Sequence, residues 1–131
     1  MEYKLEVVVV PVSDVDRAKA FYSDQCGFVV DADSTPAPNF RVVQLTPPGS
    51  DCSITIGPII VKEGAAGFRP SLQLSVPDIT AARDELAGRG VDITAVRHMS
   101  DGGWQEGPGG PYNSFAFFKD PDGNDWAIQQ K

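Results

Sequence analysis

The sequence predicts an α+β fold of two β-α-β-β-β modules related by pseudo-twofold symmetry, with curled, mostly antiparallel sheets and the helices outside. Two observations predict this fold. Residues 5–16 resemble residues 69–80 in the order strand, polar break, helix, and Val12 aligns with Val76. Further along, the turn at Gly49 matches the turn at Gly123, and each turn precedes a strand. Since three antiparallel strands with one helix leave a sheet edge exposed, two such modules can pair and bury their sheets.

The first module begins with the strand L-E-V-V-V-V and continues into a helix over about Val15 to Gln25. Ser13 or Asp14 can cap the start of this helix, and Gly27 is the expected left-handed stop after its end. Apolar residues recur on it at helical spacing, at Val15, Ala18, Phe21 and Tyr22. The segments F-V-V-D-A, F-R-V-V-Q-L-T and S-I-T-I then predict the three following strands.

The second module repeats these elements with one insertion. Its helix is predicted over about Ile79 to Arg89, with Asp78 as the cap and Gly90 as the stop. Three strands follow, in V-D-I-T-A-V, Y-N-S-F-A-F-F-K and W-A-I-Q-Q. The offset between matching residues rises from 64 to 74 positions, which places about ten extra residues within 97–112. That stretch is rich in glycine, and we expect it to form a long loop.

Length and composition limit the class of protein. A chain of 131 residues is predicted to form a single domain, with module one at about 1–63 and module two at about 69–131. The formal net charge of −7, without any cluster of Lys and Arg, argues against nucleic acid and against anionic membranes as partners. Cys26 and Cys52 belong to no metal-binding motif, and no long apolar run is present. We therefore expect free thiols in a cytoplasmic protein.

Two further motifs carry a family resemblance. The stretch P-V-S-D-V-D-R-A-K-A-F-Y-S-D-Q-C-G-F in the first module and K-D-P-D-G-N-D-W near the end of the second resemble the signatures of the vicinal-oxygen-chelate superfamily, also called the glyoxalase/bleomycin-resistance/dioxygenase group. The resemblance covers the whole chain. It implies paired β-α-β-β-β modules, a small-molecule ligand and a homodimer, but the fold hosts many chemistries.

Enzymes of this superfamily hold a divalent metal with side chains on the first and last strand of each module. The resemblance carries those positions onto Val7, Ser53, Ser71 and Ala127 of this sequence. Valine and alanine offer no lone pair, and a neutral serine hydroxyl is a poor ligand for a dication. The amides of nearby Gln73 and Gln129 are neutral too. We therefore expect neither a metal nor another cofactor.

Without a metal, the inward faces of the strands suit an organic ligand held by shape, aromatic contacts and a few hydrogen bonds. The alternative is that these side chains only pack the sheet interior. The predicted ligand-binding residues are Val7, Val9, Ser53, Thr55, Ser71, Gln73, Trp104, Tyr112, Phe115, Phe117 and Gln129.

Aromatic residues on loops are further candidates. Within 97–112, the glycines would let Trp104 and Tyr112 close over a ligand, or the segment is merely a surface loop. Phe40 and Phe68 lie on other predicted loops. Trp126 directly follows the D-P-D-G-N turn and alternates with Ala127, so it should face the helix layer instead.

Catalytic candidates are few. His98, with Asp101 three positions later, could be a general base and the group that orients it, although a solvated pair explains the same spacing. The sequence contains no nucleophile motif and no phosphate-binding glycine loop. We therefore expect a metal-free protein that binds or sequesters a hydrophobic or aromatic metabolite or antibiotic. The alternative is a glyoxalase-, dioxygenase- or isomerase-like enzyme of the same superfamily.

Overall fold

A computed structural model describes residues 1–57 and 70–131, which belong to two compact units, Met1–Arg69 and Pro70–Lys131. Each unit contains one helical segment and its own mixed sheet, so the predicted α+β class is confirmed. The first unit has the predicted order β-α-β-β-β, and the second unit has one strand more. The aromatic candidate Phe68 and the predicted boundary between the modules lie outside the described residues.

In the first unit, a four-stranded sheet has the strand order β1-β4-β3-β2. Its elements are β1 (Val7–Pro11), α1 (Val15–Ala20), a π-helical turn (Phe21–Gln25), β2 (Val29–Ala37), β3 (Phe40–Thr46) and β4 (Ser53–Gly57). The first and last strands pair in parallel, and the other pairs are antiparallel. Parallel pairing sets matching positions of β1 and β4 side by side, and the predicted site residues of this unit lie on these two strands.

The helix of the first unit begins and ends where the sequence predicts. The Asp14 carboxylate accepts a hydrogen bond from the backbone N–H of Arg17 at 3.1 Å, so Asp14 is the cap. Gly27 adopts the left-handed φ of 75° directly after the helical segment. The sequence did not predict the π-helical turn over Phe21–Gln25. The side chains of Phe21 and Tyr22 are buried within this turn, so they stay on the core side.

The second unit holds a five-stranded sheet in the order β5-β9-β8-β6-β7. Its elements are β5 (Ser71–Val76), α2 (Ile79–Gly88), β6 (Arg97–Ser100), β7 (Gly103–Glu106), β8 (Phe115–Lys119) and β9 (Asp125–Gln130). The Asp78 carboxylate caps α2 by accepting from the Ala81 N–H at 3.0 Å, and Gly90 has the left-handed φ of 92°. The cap and the stop predicted for this helix are therefore confirmed.

The region after α2 corrects the sequence prediction. The stretch V-D-I-T-A-V is not a strand; Val91 and Ile93 are buried in it, and β6 begins only at Arg97. The insertion is not a plain loop either, because β6 and β7 form a hairpin in which Met99 faces Trp104. The hairpin turn contains D-G-G, and Gly103 takes a φ of 95° that a tight hairpin requires.

Alternation along the strands of the second unit separates a core face from an open face. Four even-numbered residues of β8 and β9 are buried and belong to the layer that contacts α2: Ala116, Phe118, Trp126 and Ile128. Trp126 is among them: it is 3% exposed and stacks on Phe118 with ring centroids 5.9 Å apart, as predicted for a residue facing the helix layer. Burying each such side chain contributes about 1.5–3 kcal/mol. The odd-numbered residues form the opposite face.

The helices of this fold are short. Within residues 1–57 and 70–131, none combines the length and apolar character needed to cross a lipid bilayer.

Candidate functional site

The odd-numbered face of the second sheet forms the floor of a cavity of about 830 Å³. Register places Gln73 and Phe117 on either side of Ala127, so one row of side chains crosses three strands. Of the predicted ligand-binding residues, the cavity is lined by Ser71, Gln73, Trp104, Phe115 and Phe117. The structure therefore brings together five of the predicted positions from β5, β7 and β8.

Three aromatic rings dominate the cavity wall, and we call Trp104, Phe115 and Phe117 the aromatic cluster. Phe115 and Phe117 lie two positions apart on β8, and their rings are parallel with centroids 6.1 Å apart. The Trp104 indole stands edge-on to both of them, at 5.5 Å and 5.4 Å. Trp104 remains 45% exposed, so part of its surface is left for contact with a ligand. Edge-to-face contacts of this kind contribute about 0.5–1.5 kcal/mol each beyond the buried area.

Two glutamines connect the cavity floor to the insertion. The Gln73 amide donates to the Gln129 side-chain carbonyl at 2.7 Å, and the Gln129 amide donates to the backbone carbonyl of Tyr112 at 2.8 Å. Gln129 thus uses both ends of its amide within the protein. The Tyr112 side chain is 61% exposed, and neither Tyr112 nor Gln129 lines the cavity. The hydrogen bonds of Gln129 thus join Gln73 on the cavity floor to the backbone of the insertion at Tyr112.

The insertion that carries Trp104 is held by specific contacts. The Asn113 side chain accepts from the Met99 N–H at 2.9 Å and donates to the Met99 carbonyl at 2.8 Å. Gly109 packs so closely that a Cβ there would lie 2.4 Å from the Asn113 carbonyl oxygen. Trp104 is consequently a fixed part of the cavity wall in this structure, and closure of the segment over a ligand stays a prediction.

His98 lies outside the cavity. Because Arg97 pairs with Phe115 on the cavity face, alternation turns the neighbouring His98 to the other face. The His98 Nδ1 is 2.8 Å from the backbone carbonyl oxygen of Gly107, which ties the end of the hairpin together. Asp101 is exposed in the hairpin turn. This geometry gives His98 a structural role and offers no support for the general-base hypothesis.

The remaining predicted residues share one face of the first sheet. Parallel pairing sets Val7 beside Ser53 and Val9 beside Thr55, and both hydroxyl residues of β4 are buried. The Ser53 hydroxyl lies 2.6 Å from that of Thr46, which also hydrogen-bonds to a carboxylate on β2. These residues belong to the first unit, whereas every residue lining the cavity belongs to the second.

The positions that hold metal in the superfamily's enzymes do not fit a divalent cation here. Val7 and Ala127 supply no donor atom, and the Ser53 hydroxyl is engaged with Thr46. In the described parts of the chain, no group of three or more His, Cys, Asp or Glu side chains is placed to bind a metal ion. The side chain of Cys26 is buried and that of Cys52 is partly exposed.

Sequence reasoning missed the charged part of the cavity lining. Asp92, Lys119 and Asp125 line one end, where the Lys119 ammonium forms an ion pair with the Asp125 carboxylate. Strand alternation could have found two of them, because Lys119 is two positions beyond Phe117 and Asp125 is two positions before Ala127. No sequence pattern placed Asp92 at the cavity, because residues 91–96 were expected to form a regular strand. Thr94 lines the cavity beside these charges, and the even-numbered residues Leu72, Phe118 and Trp126 complete the lining.

The most perturbed carboxyl group belongs to the first unit and does not line the cavity. Hydrogen bonds from Arg41 and Lys19 to Asp33 hold the pKa of that carboxyl well below its usual value. The Asp33 and Asp16 carboxylates in turn raise the pKa of the Arg41 guanidinium. This network joins α1 to β2 and β3, so its role is structural.

Comparison with known proteins shows which family this chain belongs to. Residues 4–128 match the model of the Glyoxalase/Bleomycin resistance protein/Dioxygenase superfamily. An uncharacterised protein of Bacillus subtilis (strain 168), YetH, is 24% identical over 127 residues, which span 97% of this chain and 98% of that protein.

Solved structures with the same fold are also similar in sequence. The crystal structure of TnmS3, an antibiotic binding protein from Streptomyces sp. CB03234, is 31% identical with a TM-score of 0.74, covering 98% of this chain and 96% of that chain. A superfamily member from Sphaerobacter thermophilus DSM 20745 is 28% identical with a TM-score of 0.75, covering 99% and 98% of the two chains.

Proposed function

Because this chain belongs to the glyoxalase/bleomycin resistance protein/dioxygenase superfamily, we propose that it binds a flat, hydrophobic or aromatic small molecule in the cavity of its second unit, without a metal. The aromatic cluster is the observation that carries this proposal. Its two parallel phenylalanine rings and edge-on indole offer apolar surface that a planar ligand can cover.

The size and chemistry of the cavity support this proposal. A volume of about 830 Å³ falls within the range of roughly 300–1,000 Å³ that is typical of small-molecule sites. The Ser71 hydroxyl and the Gln73 amide provide a few polar groups among apolar neighbours, which is the usual composition of such sites. They can orient a ligand by hydrogen bonds of about 1 kcal/mol each.

We propose sequestration as the role, with an antibiotic or a comparable planar metabolite as the ligand. The similarity to TnmS3, an antibiotic binding protein, supports this class of ligand. The residues favour binding over catalysis, because the metal positions hold Val7, Ser53, Ser71 and Ala127 and because His98 faces away from the cavity. An enzyme of the same superfamily remains the alternative that an activity screen would reveal.

A binding titration with acridone, an uncharged three-ring aromatic, tests the proposal. We expect saturable binding of about one acridone per chain, detected by its fluorescence, and unchanged binding after dialysis against EDTA. Trp104→Ala should weaken binding about 10- to 100-fold, because it removes both the ring contacts and a few kcal/mol of buried area.

Tyr112→Asn is the matched control. This exposed aromatic residue is close in sequence but does not line the cavity, and asparagine tolerates its left-handed φ of 58°. We expect less than about a two-fold change, because no ring contact with the ligand is lost. Equal binding by wild type and Trp104→Ala would refute the site, and loss of binding with EDTA would refute its metal independence.

A further inference from the structure

The charges around the cavity define the ligand more closely. Among residues 1–57 and 70–131, three charged residues line it: Asp92, Lys119 and Asp125. Two carboxylates therefore face one ammonium group. Lys119 pairs with Asp125 across the two neighbouring strands β8 and β9. The pair cancels most of its own field, and the excess charge of the cavity is that of Asp92.

Within residues 1–57 and 70–131, no basic side chain forms an ion pair with Asp92. In the described part of the chain, its carboxylate takes part in no hydrogen bond and no ion pair, and the residue is exposed in the segment between α2 and β6. A carboxylate with free acceptor sites at the rim of an apolar cavity attracts a cation or a hydrogen-bond donor.

The aromatic cluster also favours a positively charged ligand. The faces of aromatic rings carry negative electrostatic potential, and tryptophan attracts cations most strongly. Trp104 is 45% exposed, so its indole is accessible to a ligand in the cavity. A positively charged ligand would thus meet ring faces along the wall and Asp92 at the end.

Two further pairs of opposite charge lie near the cavity. Arg83 donates to the backbone carbonyls of Ile93 and Thr94 beside Asp92, and its guanidinium forms an ion pair with Asp84. Arg97 and Glu106 lie opposite each other in the hairpin, on the cavity side of the sheet, and neither lines the cavity. Their opposite signs cancel at the distance of the ligand. The chain as a whole carries a net charge of −7, which adds to the attraction for a cation.

From these observations we propose that the cavity selects a planar aromatic ligand that carries a positive charge, with Asp92 as the residue that determines this selectivity. The inference rests on the proposed binding function and names the chemical class of its ligand.

Three probes of similar shape test the selectivity: cationic 9-aminoacridine, neutral acridone and anionic acridine-9-carboxylate. Equilibrium dialysis at low salt should show 9-aminoacridine binding about three- to ten-fold more tightly than acridone, with the carboxylate weakest. In 0.5 M NaCl the preference should shrink to less than about two-fold, because salt screens exposed charges.

Asp92→Asn keeps the shape of the side chain and removes the charge. We expect it to bring 9-aminoacridine and acridone close to equal affinity, mainly by weakening the binding of 9-aminoacridine. Asp101→Asn, an exposed residue of the hairpin turn outside the cavity, is the matched control and should leave the preference intact.

The outcomes separate the two proposals. Equal binding of all three probes, or a cation preference that survives in Asp92→Asn, overturns the charge selectivity and leaves the binding function standing. Failure of all three probes to bind overturns both. The salt dependence is measured on the unmodified protein, so the test holds even if a variant folds poorly.

Discussion

Single residues decide which chemistry this fold can perform. At position 53 the superfamily's enzymes have a metal ligand, whereas Ser53 here shares a hydrogen bond of 2.6 Å with Thr46. At position 7, Val7 has no donor atom at all and lies directly beside Ser53. These substitutions were visible in the sequence, and the structure adds that the remaining hydroxyl is already occupied. The poor fit of these two positions to a divalent metal could thus be seen in the sequence, residue by residue.

Among the charged residues of the cavity, Asp92 could not be predicted in the same way. Asp92 follows α2 in a segment whose apolar alternation, with Val91 and Ile93 buried, is the same in a strand and in an extended connection. Its place at the cavity depends on how that connection runs beside β8, where the Thr94 N–H donates to the Phe117 carbonyl at 2.9 Å. Such a contact depends on the tertiary structure and leaves no local pattern.

A pH-dependent stability test addresses Asp33, whose lowered pKa has a structural cause. Its carboxylate accepts hydrogen bonds from Lys19 and Arg41, and both favour the charged form. A group with a lowered folded-state pKa stabilises the protein above its unfolded pKa of about 3.9, and the contribution is lost as pH falls toward the folded-state value. Asp33→Asn should therefore lower the free energy of unfolding by about 1 kcal/mol at pH 7, a value typical of partly exposed ion-pair networks.

Thermal unfolding of both proteins from pH 7 down to pH 2 measures this effect. We expect the difference between wild type and Asp33→Asn to shrink steadily below about pH 4. Asp101→Asn, an exposed turn residue, is the control and should change the midpoint little at any pH. A difference that is constant across the whole range would show that the ion pairs of Asp33 do not stabilise the fold.

At the scale of elements, the sequence patterns predicted both helices correctly but did not predict the structure of the insertion. Both helices have their predicted caps, because an Asp at this position can satisfy the first free backbone N–H groups wherever a helix begins. The glycines of the insertion instead suggested a loop, although D-G-G between H-M-S and W-Q-E is a hairpin signal. Only the structure shows that the resulting hairpin carries Trp104 against Phe115 and Phe117.

Two neighbouring glycines allow a matched test of that hairpin's packing. A Cβ at Gly109 would lie 2.4 Å from the Asn113 carbonyl oxygen and 2.7 Å from the His98 Cβ, whereas a Cβ at Gly110 would meet nothing within 4 Å. Gly109→Ala should lower the free energy of unfolding by roughly 1–3 kcal/mol, the usual cost of overpacking. Gly110→Ala should be neutral or slightly stabilising, because alanine restricts the unfolded chain.

Urea denaturation of both variants measures the change in midpoint. Acridone binding by Gly109→Ala should weaken as well, since Trp104 lies on the displaced hairpin. Equal midpoints for the two alanine variants would mean that the segment around Gly109 adapts freely, and the description of Trp104 as a fixed wall would then be wrong.

At the scale of the whole molecule, the sequence repeat corresponds to a similarity between the sheets of the two units. Each unit places its first strand at one end of its sheet, beside the last strand of the same unit. The repeat in the sequence predicted that the two units have corresponding elements, whereas the order of the strands within each sheet comes from the structure. The repeat could not predict the cavity of the second unit. Its wall includes Trp104 of the insertion, and the insertion has no counterpart in the first module.

The residues before β1 bear on the predicted homodimer. Four apolar side chains, at Met1, Tyr3, Leu5 and Val7, alternate with charged residues and are 103%, 88%, 72% and 39% exposed. Alternation of this kind is typical of a strand with one buried face. These side chains directly precede and enter β1, which ends the strand order of its sheet. An exposed strand end with an apolar face is a suitable site for pairing with another chain.

We predict that a second copy of the chain covers this segment, and sedimentation equilibrium at micromolar concentration measures the result. Wild type should sediment at about twice its mass of 14.0 kDa. Leu5→Asp should shift the population toward the single chain, because burying a leucine contributes about 1.5–3 kcal/mol and burying an unpaired carboxylate costs more. Lys4→Asp changes the charge on the alternate face and should leave the dimer largely intact. A wild-type protein that sediments only as a single 14.0 kDa chain would reject the homodimer; a dimer unaffected by Leu5→Asp would place the interface elsewhere on the chain.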